Sequence, residues 1–224
     1  MEIIGIEKNS MVDYPGKIAA VFFTPGCNFN CWYCHNKSIL KEQRGSYLEV
    51  NLIRMLEERR EFLDAVVISG GEPTLQSDLV NFIRKVKGMG FLVKLDTNGT
   101  NPEVLEELVK EKLIDYVAMD LKQSFDKYEE VTCVPVKIDK VRRSINFLMQ
   151  GEIPYEFRTT FVVGMSPIDI ENIAKEIAGA NKFYIQKYNP QLGEENLDVH
   201  KKLVYHNALI LAQKYVKNTK LRGF

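Results

Sequence analysis

The stretch from residue 18 to residue 34 reads IAAVFFTPGCNFNCWYC and combines two features that decide the fold. Its first part, Ile18–Thr24, is rich in β-branched and aromatic residues and predicts a buried β-strand. Its second part places Cys27, Cys31 and Cys34 within eight residues, a C-x3-C-x2-C spacing. The loop that follows the strand is therefore expected to carry a cluster of thiols.

Similar β-rich runs recur along the chain and alternate with amphipathic helical stretches. Six runs are predicted as strands: Ile18–Thr24, Ala65–Ser69, Phe91–Asp96, Tyr116–Leu121, Glu156–Val163 and Phe183–Tyr188. Polar caps followed by proline at Asn101-Pro102 and Ser166-Pro167 predict two helix starts, and a last helix is expected over Leu203–Val216.

Six β-then-α units imply an α/β protein with a parallel sheet and helices outside it. Eight such units close a barrel in about 250 residues. Six units in 224 residues therefore predict a partial (β/α)6 TIM-like barrel, formed by a single domain over residues 1–224. A doubly wound sheet fits the same rhythm of elements.

In both architectures ligands gather at the carboxyl ends of the strands. The unusual residues of this chain follow the predicted strands at that edge: Cys27, Gly70–Pro73, Asp96–Gly99 and Asp120–Lys122. We expect the functional site there.

The overall charge and hydropathy exclude several classes of partner. Thirty Lys and Arg against thirty Asp and Glu give a net charge of zero, so the chain lacks the basic surplus of a nucleic-acid binder. The longest apolar run, residues 18–23, is too short to span a bilayer, and no signal peptide is recognised. We expect a cytoplasmic protein with reduced thiols and neither a nucleic acid nor a membrane as partner.

Two kinds of metal site remain open for the three clustered cysteines. A structural zinc ion needs four tight ligands, and the nearest fourth candidate is His35, directly beside Cys34. A cubane iron–sulfur cluster takes one thiolate per iron, so three thiolates would leave one iron open for substrate chemistry. The fourth cysteine, Cys133, has no ligand near it in sequence and is expected to be a small buried apolar residue.

The Gly70-Gly71-Glu72 turn also allows two interpretations. Glycines at a strand-to-helix turn often serve only its backbone conformation. At the sheet edge that carries the thiols, however, a backbone without side chains would let a ligand approach, and Glu72 could hold a cationic amino group.

Several motifs together resemble a known family. The cysteine spacing with Tyr33 before Cys34, together with Gly70–Pro73, resembles the radical S-adenosylmethionine (SAM) superfamily. Further stretches resemble the glycyl-radical-enzyme activases: VDYPG at 12–16, YCHN at 33–36, DTNG at 96–99 and DLK at 120–122. EFRTT at 156–160 and Gln186 resemble the activating proteins of anaerobic ribonucleoside-triphosphate reductase.

The resemblance implies two cofactors. It assigns a 4Fe–4S cluster to Cys27, Cys31 and Cys34, with SAM chelating the fourth iron. It also implies a SAM site, with Tyr33 and His35 near the adenine and with Gly70, Gly71 and Glu72 at the methionyl amino group. Asp120, Leu121 and Lys122 would lie at the ribose and carboxylate. Asp96 and Asn189 complete the set of expected SAM-site residues. It places a monovalent cation near SAM at Asp96 and Asp120, and Asn189 stands where the formate-lyase activase has histidine.

The function implied by the resemblance is that of an oxidoreductase in anaerobic metabolism. The reduced cluster would cleave SAM to methionine and a 5′-deoxyadenosyl radical, which would take a hydrogen atom from a glycine Cα of a partner enzyme. The expected partners are an anaerobic ribonucleotide reductase and an electron donor such as ferredoxin or flavodoxin, and no side chain is assigned as a catalytic acid or base.

Two other functions fit parts of the sequence. One is a small-molecule radical SAM enzyme similar to the 7-carboxy-7-deazaguanine synthases, which share short chains and a Gly-Gly-Glu-Pro turn. The other is a non-catalytic module that binds zinc or a cluster.

Overall fold

The structure is a computed structural model that describes residues 1–40, 44–190 and 202–223. Eight strands lie within these residues: β1 Gly5–Ser10, β2 Ala19–Thr24, β3 Ala65–Gly70, β4 Leu92–Thr97, β5 Tyr116–Asp120, β6 Tyr155–Phe161, β7 Phe183–Lys187 and β8 Thr219–Arg222. The helices are α1 Lys37–Leu40, α2 Glu49–Glu58, α3 Leu79–Gly88, α4 Pro102–Lys110, α5 Tyr128–Thr132, α6 Ile138–Met149, α7 Pro167–Glu176 and α8 Lys202–Gln213.

The strands form one sheet in strictly sequential order, from β1 to β8. β1 runs antiparallel to β2, and each later neighbouring pair is parallel. A doubly wound sheet would reverse its strand order at a switch point, whereas the sequential order is that of a barrel. The structure therefore confirms the partial TIM-like barrel and decides against the doubly wound alternative.

All six predicted strands are present, with ends that differ by one or two residues from the prediction. The two additional strands, β1 and β8, stand at the opposite ends of the sheet order. Their sequences, GIEKNS and TKLR, are mostly polar, so they lack the β-rich patterning that identifies the other six.

The strands pack on both faces, which explains their near-continuous apolar runs. Most of the core lies in one large cluster between the sheet and the helices. A second, smaller cluster consists of alternate strand residues together with a loop tyrosine: Tyr14, Ala19, Val21, Ala65, Val67 and Tyr116. Because alternate residues of a strand face opposite sides, this cluster fills the inner face of the sheet below the site.

The predicted helix starts are confirmed at both proline positions. α4 begins at Pro102, and α7 begins at Pro167 after Ser166, whose hydroxyl accepts a hydrogen bond from the Asp169 N–H. The Asp169 carboxylate accepts the Ser166 N–H in return, which completes a capping box. The last helix, α8, ends at Gln213 rather than at the predicted Val216.

None of the helices in the described ranges is long and apolar enough to cross a membrane.

Candidate functional site

A cavity of about 220 Å³ lies at the carboxyl ends of β2 to β6. It collects most of the residues that the sequence places in the site: Cys27, Cys31, Cys34, Tyr33, His35, Gly70, Gly71, Glu72, Asp96, Asp120 and Lys122. The expected convergence of the strand ends therefore takes place in the folded chain.

Two of the predicted site residues lie elsewhere. Leu121 is buried in the core cluster between sheet and helices, and its N–H donates to the Arg158 carbonyl. Asn189 is exposed just beyond the end of β7. Because side chains alternate along a strand, Leu121 faces away from its neighbours Asp120 and Lys122, which line the cavity.

The cysteine loop is held by hydrogen bonds within itself and to its neighbours. The Cys34 N–H donates to the Cys31 carbonyl at 3.1 Å, and the Asn30 N–H donates to the Thr132 carbonyl at 2.9 Å. The Asn28 amide donates to Thr100 Oγ1 at 2.8 Å and accepts from the Asn98 amide, also at 2.8 Å. These bonds fix the loop against the ends of β4 and α5.

Of the three thiols of this loop, that of Cys31 is buried and those of Cys27 and Cys34 are partly buried. Burial raises the pKa of Cys27 to about 11 and also raises the pKa of Cys31. A bound metal supplies the positive charge that favours the thiolate over the thiol. Among residues 1–40, 44–190 and 202–223, no three or more His, Cys, Asp and Glu side chains converge as a preformed site for a single ion.

The prediction for Cys133 is wrong, because this side chain is exposed. α5 buries Tyr128, Val131 and Thr132 and ends at Thr132, and the next residue, Cys133, adopts a left-handed conformation with φ of 55°. This conformation turns the chain out of the helix, and the side chain that follows the last buried turn lies on the surface.

Gly70 and Gly71 bring the loop after β3 against the loop after β2. Gly70 has φ of 112°, and a Cβ added at Gly71 would overlap the carbonyl oxygen of Gly26. The Gly71 N–H donates to the Thr24 carbonyl at 2.9 Å, and the Glu72 N–H donates to the Gly26 carbonyl at 2.9 Å. Both glycines are therefore needed for the close approach of the turn to the cysteine loop.

The Glu72 carboxylate, 1% exposed, points into the protein and joins two loops. Its Oε1 accepts hydrogen bonds from the Thr74 N–H at 3.1 Å and the Thr97 hydroxyl at 2.8 Å, and its Oε2 accepts from the Asn98 N–H at 2.7 Å. Burial raises the pKa of Glu72, although these hydrogen bonds act in the opposite direction. The carboxylate thus organises the DTNG loop at the cavity wall.

Five charged side chains, which we call the charge chain, alternate in sign across the ends of β4, β5 and β6: Lys94, Asp96, Arg158, Asp120 and Lys122. Arg158 Nε lies 2.7 Å from Asp120 Oδ1, and Arg158 Nη1 lies 3.3 Å from Asp96 Oδ2. Lys122 Nζ lies 3.0 Å from the second Asp120 oxygen, Oδ2. Lys94 is bonded to Asp96 Oδ1.

The ion pairs of the charge chain shift the pKa values of Asp96, Asp120 and Lys122. Burial alone would raise the pKa of Asp96 and Asp120, but the neighbouring cations outweigh burial and hold both pKa values below their ordinary range. Asp120 in turn raises the pKa of Lys122 despite burial. Asp96, Asp120 and Lys122 are therefore charged at neutral pH.

The sequence interpretation overlooked Lys94. A signal was available, since Lys94 lies two residues before Asp96 in a strand that is otherwise apolar up to that aspartate, which places both side chains on one face.

Tyr33 brings a hydroxyl group into the cavity wall. Its ring packs against Trp32 and Tyr188, with centroids 5.6 Å and 6.1 Å away. The ring is buried, and its hydroxyl oxygen has no hydrogen-bond partner among the described residues. A buried hydroxyl without a partner is costly, so this group is suited to bonding a molecule bound in the cavity.

Comparison with known proteins identifies relatives along most of the chain. A family profile of the radical SAM superfamily matches residues 21–177. A protein of Methanocaldococcus jannaschii, provisionally named as a glycyl-radical enzyme activating enzyme, is 44% identical over 98% of this chain and 95% of its own length. A second protein of that organism with the same provisional name is 32% identical over 87% of this chain and 77% of its own length.

The fold is also similar to that of solved structures. Streptococcus suis SuiB bound to S-adenosylmethionine superimposes with a TM-score of 0.69 at 17% identity, over 91% of this chain. The chain spans 52% of the length of SuiB. The profile match and the 44% identical relative agree with the cysteine spacing and the barrel topology, and the chain belongs to the radical SAM superfamily.

Proposed function

We propose that this protein is a glycyl-radical-enzyme activase, with a 4Fe–4S cluster on Cys27, Cys31 and Cys34 and SAM in the adjoining cavity. The observation that carries the proposal is that one cavity is lined by the three cysteines, by Gly70 and Gly71, and by four members of the charge chain, Asp96, Asp120, Lys122 and Arg158. The names of the two relatives from Methanocaldococcus jannaschii support the activase class.

The residues around the cavity fit both cofactors of the superfamily. Three thiols on one loop are the donors that an iron–sulfur cluster requires, and a fourth iron would stay open for SAM. The turn at Gly70 and Gly71 lines the cavity, and the Tyr33 hydroxyl is a buried donor that still lacks an acceptor within the described residues.

The charge chain suits the polar groups of SAM. Lys122 pairs with Asp120, and the charge chain carries one positive charge more than it has negative charges. This surplus attracts a carboxylate, while Asp120 can accept a hydrogen bond from a ribose hydroxyl. His35 lines the cavity with its ring packed on Tyr188, centroids 5.9 Å apart, and provides a flat surface for the adenine.

The chemistry at this site divides between cofactors and protein. A cluster bound at Cys27, Cys31 and Cys34 would supply, once reduced, the electron for cleavage of SAM into methionine and a 5′-deoxyadenosyl radical. The side chains orient SAM, exclude water from the cavity and hold the cysteine loop in place. Hydrogen-atom abstraction needs no acid or base, so we assign none.

We infer that the hydrogen donor is a glycine in a loop of a partner protein, with an anaerobic ribonucleotide reductase as the expected partner and ferredoxin or flavodoxin as the expected reductant. Support comes from the sheet, whose end strands β1 and β8 are not hydrogen-bonded to each other in the described part. An unclosed barrel leaves a lateral path for a polypeptide loop. The loop must bring its glycine close, because a misplaced reactive group loses rate steeply.

Electron paramagnetic resonance tests the activase proposal. The protein is reconstituted with iron and sulfide without oxygen and mixed with SAM, a reductant and an anaerobic ribonucleotide reductase. We expect a glycyl radical that is absent when the partner's glycine is replaced by alanine. Methionine release with consumption of a small molecule, and no radical on any glycyl partner, would favour the small-molecule enzyme class instead.

A further inference from the structure

The structure leaves little room for the monovalent cation that the resemblance implies beside SAM. We propose that Lys94 and Arg158 act as tethered replacements for this cation, so that SAM binds without Na⁺ or K⁺. The inference rests on the SAM site of the proposed function. The evidence for these replacements is the arrangement of Asp96 and Asp120, the two carboxylates that would have to bind a free cation.

Every oxygen of these two carboxylates already accepts from a side chain. Asp96 Oδ1 is bonded to Lys94, and Asp96 Oδ2 accepts from Arg158 at 3.3 Å and from the Ser69 hydroxyl at 3.2 Å. Asp120 Oδ1 accepts from Arg158 at 2.7 Å, and Asp120 Oδ2 accepts from Lys122 at 3.0 Å. A free cation that reached a carboxylate would have to share these oxygens with the side-chain donors and would lie close to their positive charges.

Lys94 places its single positive charge beside Asp96, at the position that a bound cation would occupy. The residue lies in the middle of β4, is 2% exposed, and pairs in register with Val67 on β3 and Tyr116 on β5. A buried ammonium group is retained only where a counter-charge meets it, and Asp96 provides that charge.

Arg158 bridges the two carboxylates, as a bound spherical ion would. Its guanidinium is 13% exposed and contacts Asp96 through Nη1 and Asp120 through Nε. A planar guanidinium with several fixed donors is suited to two acceptors at once and cannot lose its charge. It links the ends of β4 and β5 permanently, which a dissociable ion would do only at sufficient concentration.

The charge balance points in the same direction. Three cationic side chains face two carboxylates, which leaves a surplus of one positive charge. Beside these three cationic side chains, a further cation meets repulsion that an anionic group does not. The SAM carboxylate supplies such a group.

Wild-type protein reconstituted with its cluster provides the first test. SAM affinity is measured by calorimetry in NaCl, KCl and tetramethylammonium chloride at one ionic strength. We expect dissociation constants that agree within threefold in the three salts. A loss of threefold or more in tetramethylammonium, relative to Na⁺ or K⁺, would overturn the proposal.

Lys94→Met tests the tethered charge, and Lys87→Met is its matched control. Lys87 also pairs with a partly buried aspartate, Asp115, at 2.7 Å, but on the opposite edge of the sheet. In Lys94→Met we expect SAM affinity in tetramethylammonium to fall at least tenfold and to recover in Na⁺ or K⁺, while Lys87→Met binds SAM like wild type. Wild-type affinity of Lys94→Met in all three salts would contradict the role of Lys94.

Thermal unfolding of the cluster-free wild-type protein gives a readout that does not need SAM. We expect the same midpoint in all three salts, and a midpoint raised specifically by Na⁺ or K⁺ would reject the inference. If the reconstituted protein bound SAM in none of the salts, the proposed function would fail, while the unfolding midpoints would still decide whether the charge chain needs a free cation.

Discussion

The Glu72 carboxylate accepts a hydrogen bond from the Asn98 backbone N–H at 2.7 Å, and this bond ties the loop after β3 to the loop after β4. Glu72 is therefore a structural member of the cavity wall. A direct contact between its side chain and the SAM amino group would have to share oxygens that already accept from Thr74, Thr97 and Asn98. This relationship gives mutations at Glu72 a second effect, on stability, in addition to any effect on SAM.

We expect Glu72→Ala to lower the free energy of unfolding of the cluster-free protein by at least about 2 kcal/mol, because several buried donors lose their acceptor. SAM affinity should fall as well, since the DTNG loop loses its anchor. Urea denaturation measures the first effect. The control is Glu61→Ala at an exposed carboxylate, which should change stability by less than about 0.5 kcal/mol. Equal effects of the two substitutions would contradict the structural role of Glu72.

Gly71→Ala should disturb both the turn and the cysteine loop. The new Cβ would overlap the Gly26 carbonyl, which directly precedes Cys27, so the two loops must move apart. We expect at least a tenfold loss of SAM affinity together with a loss of stability. Gly88→Ala is the matched control, because a Cβ at Gly88 meets no atom within 4 Å, and alanine in a helix is favoured by about 0.5–1 kcal/mol. Similar SAM affinity in both variants would argue against the close approach at Gly71.

Replacing Cys27, Cys31 or Cys34 by alanine should abolish cluster assembly, whereas Cys133→Ala should leave it intact. The three clustered thiols line the cavity, while Cys133 is exposed at the end of α5. Iron and sulfide analysis after anaerobic reconstitution, with the visible spectrum, measures the outcome. Loss of iron in Cys133→Ala as complete as in Cys31→Ala would show that three ligands are not the full set.

The contribution of Asp120 to stability should depend on pH in a defined direction. Its pKa is held below the ordinary value of 3.8, so its ionised form stabilises the folded state above that value and the stabilisation is lost as the pH falls through the folded-state pKa. Wild type should therefore exceed Asp120→Asn in stability at pH 7, and the gap should narrow as the pH falls below about 4. Denaturation curves at these pH values test this, and a gap that stays constant would contradict it.

Tyr33→Phe should leave the cluster-free protein at least as stable as wild type but should weaken SAM binding. The Tyr33 hydroxyl is buried without a partner among the described residues, so its removal should leave the cluster-free protein equally stable or stabilise it by about 1–3 kcal/mol. If the hydroxyl bonds a molecule in the cavity, SAM should bind less tightly to the variant. Loss of stability in the cluster-free variant would show that the hydroxyl already has a partner within the protein.

The architecture was largely predictable, because parallel strands packed on both faces carry continuous apolar runs that are easily recognised. Ala65–Gly70 and Tyr116–Asp120 agree with the prediction to within one residue. β1 and β8 escaped prediction for the opposite reason, since GIEKNS and TKLR are polar edge segments whose strand conformation depends on pairing with β2 and β7. Tertiary context, rather than local propensity, creates these two strands.

The sequence predicted which residues line the site, but not the hydrogen bonds and ion pairs that these residues form. The cysteine spacing and the strand-end positions placed most of the lining residues, whereas the orientation of Glu72 and the partners of Arg158 depend on loop geometry and strand register. Lys94 joins the site only because β4 presents it on the same face as Asp96. The exposure of Cys133 follows from the point at which α5 ends, which no sequence signal marked.

The central claim, that this protein takes a hydrogen atom from a glycine of a partner enzyme, is tested most directly by isotope transfer. An anaerobic ribonucleotide reductase carrying deuterated glycine is incubated with the reconstituted protein, SAM and a reductant. We predict deuterium in the methyl group of 5′-deoxyadenosine, methionine in equal amount, and neither product with Cys31→Ala. Methionine formation by the wild-type protein without deuterium in 5′-deoxyadenosine, from this partner or any other glycyl-radical enzyme, would contradict the claim.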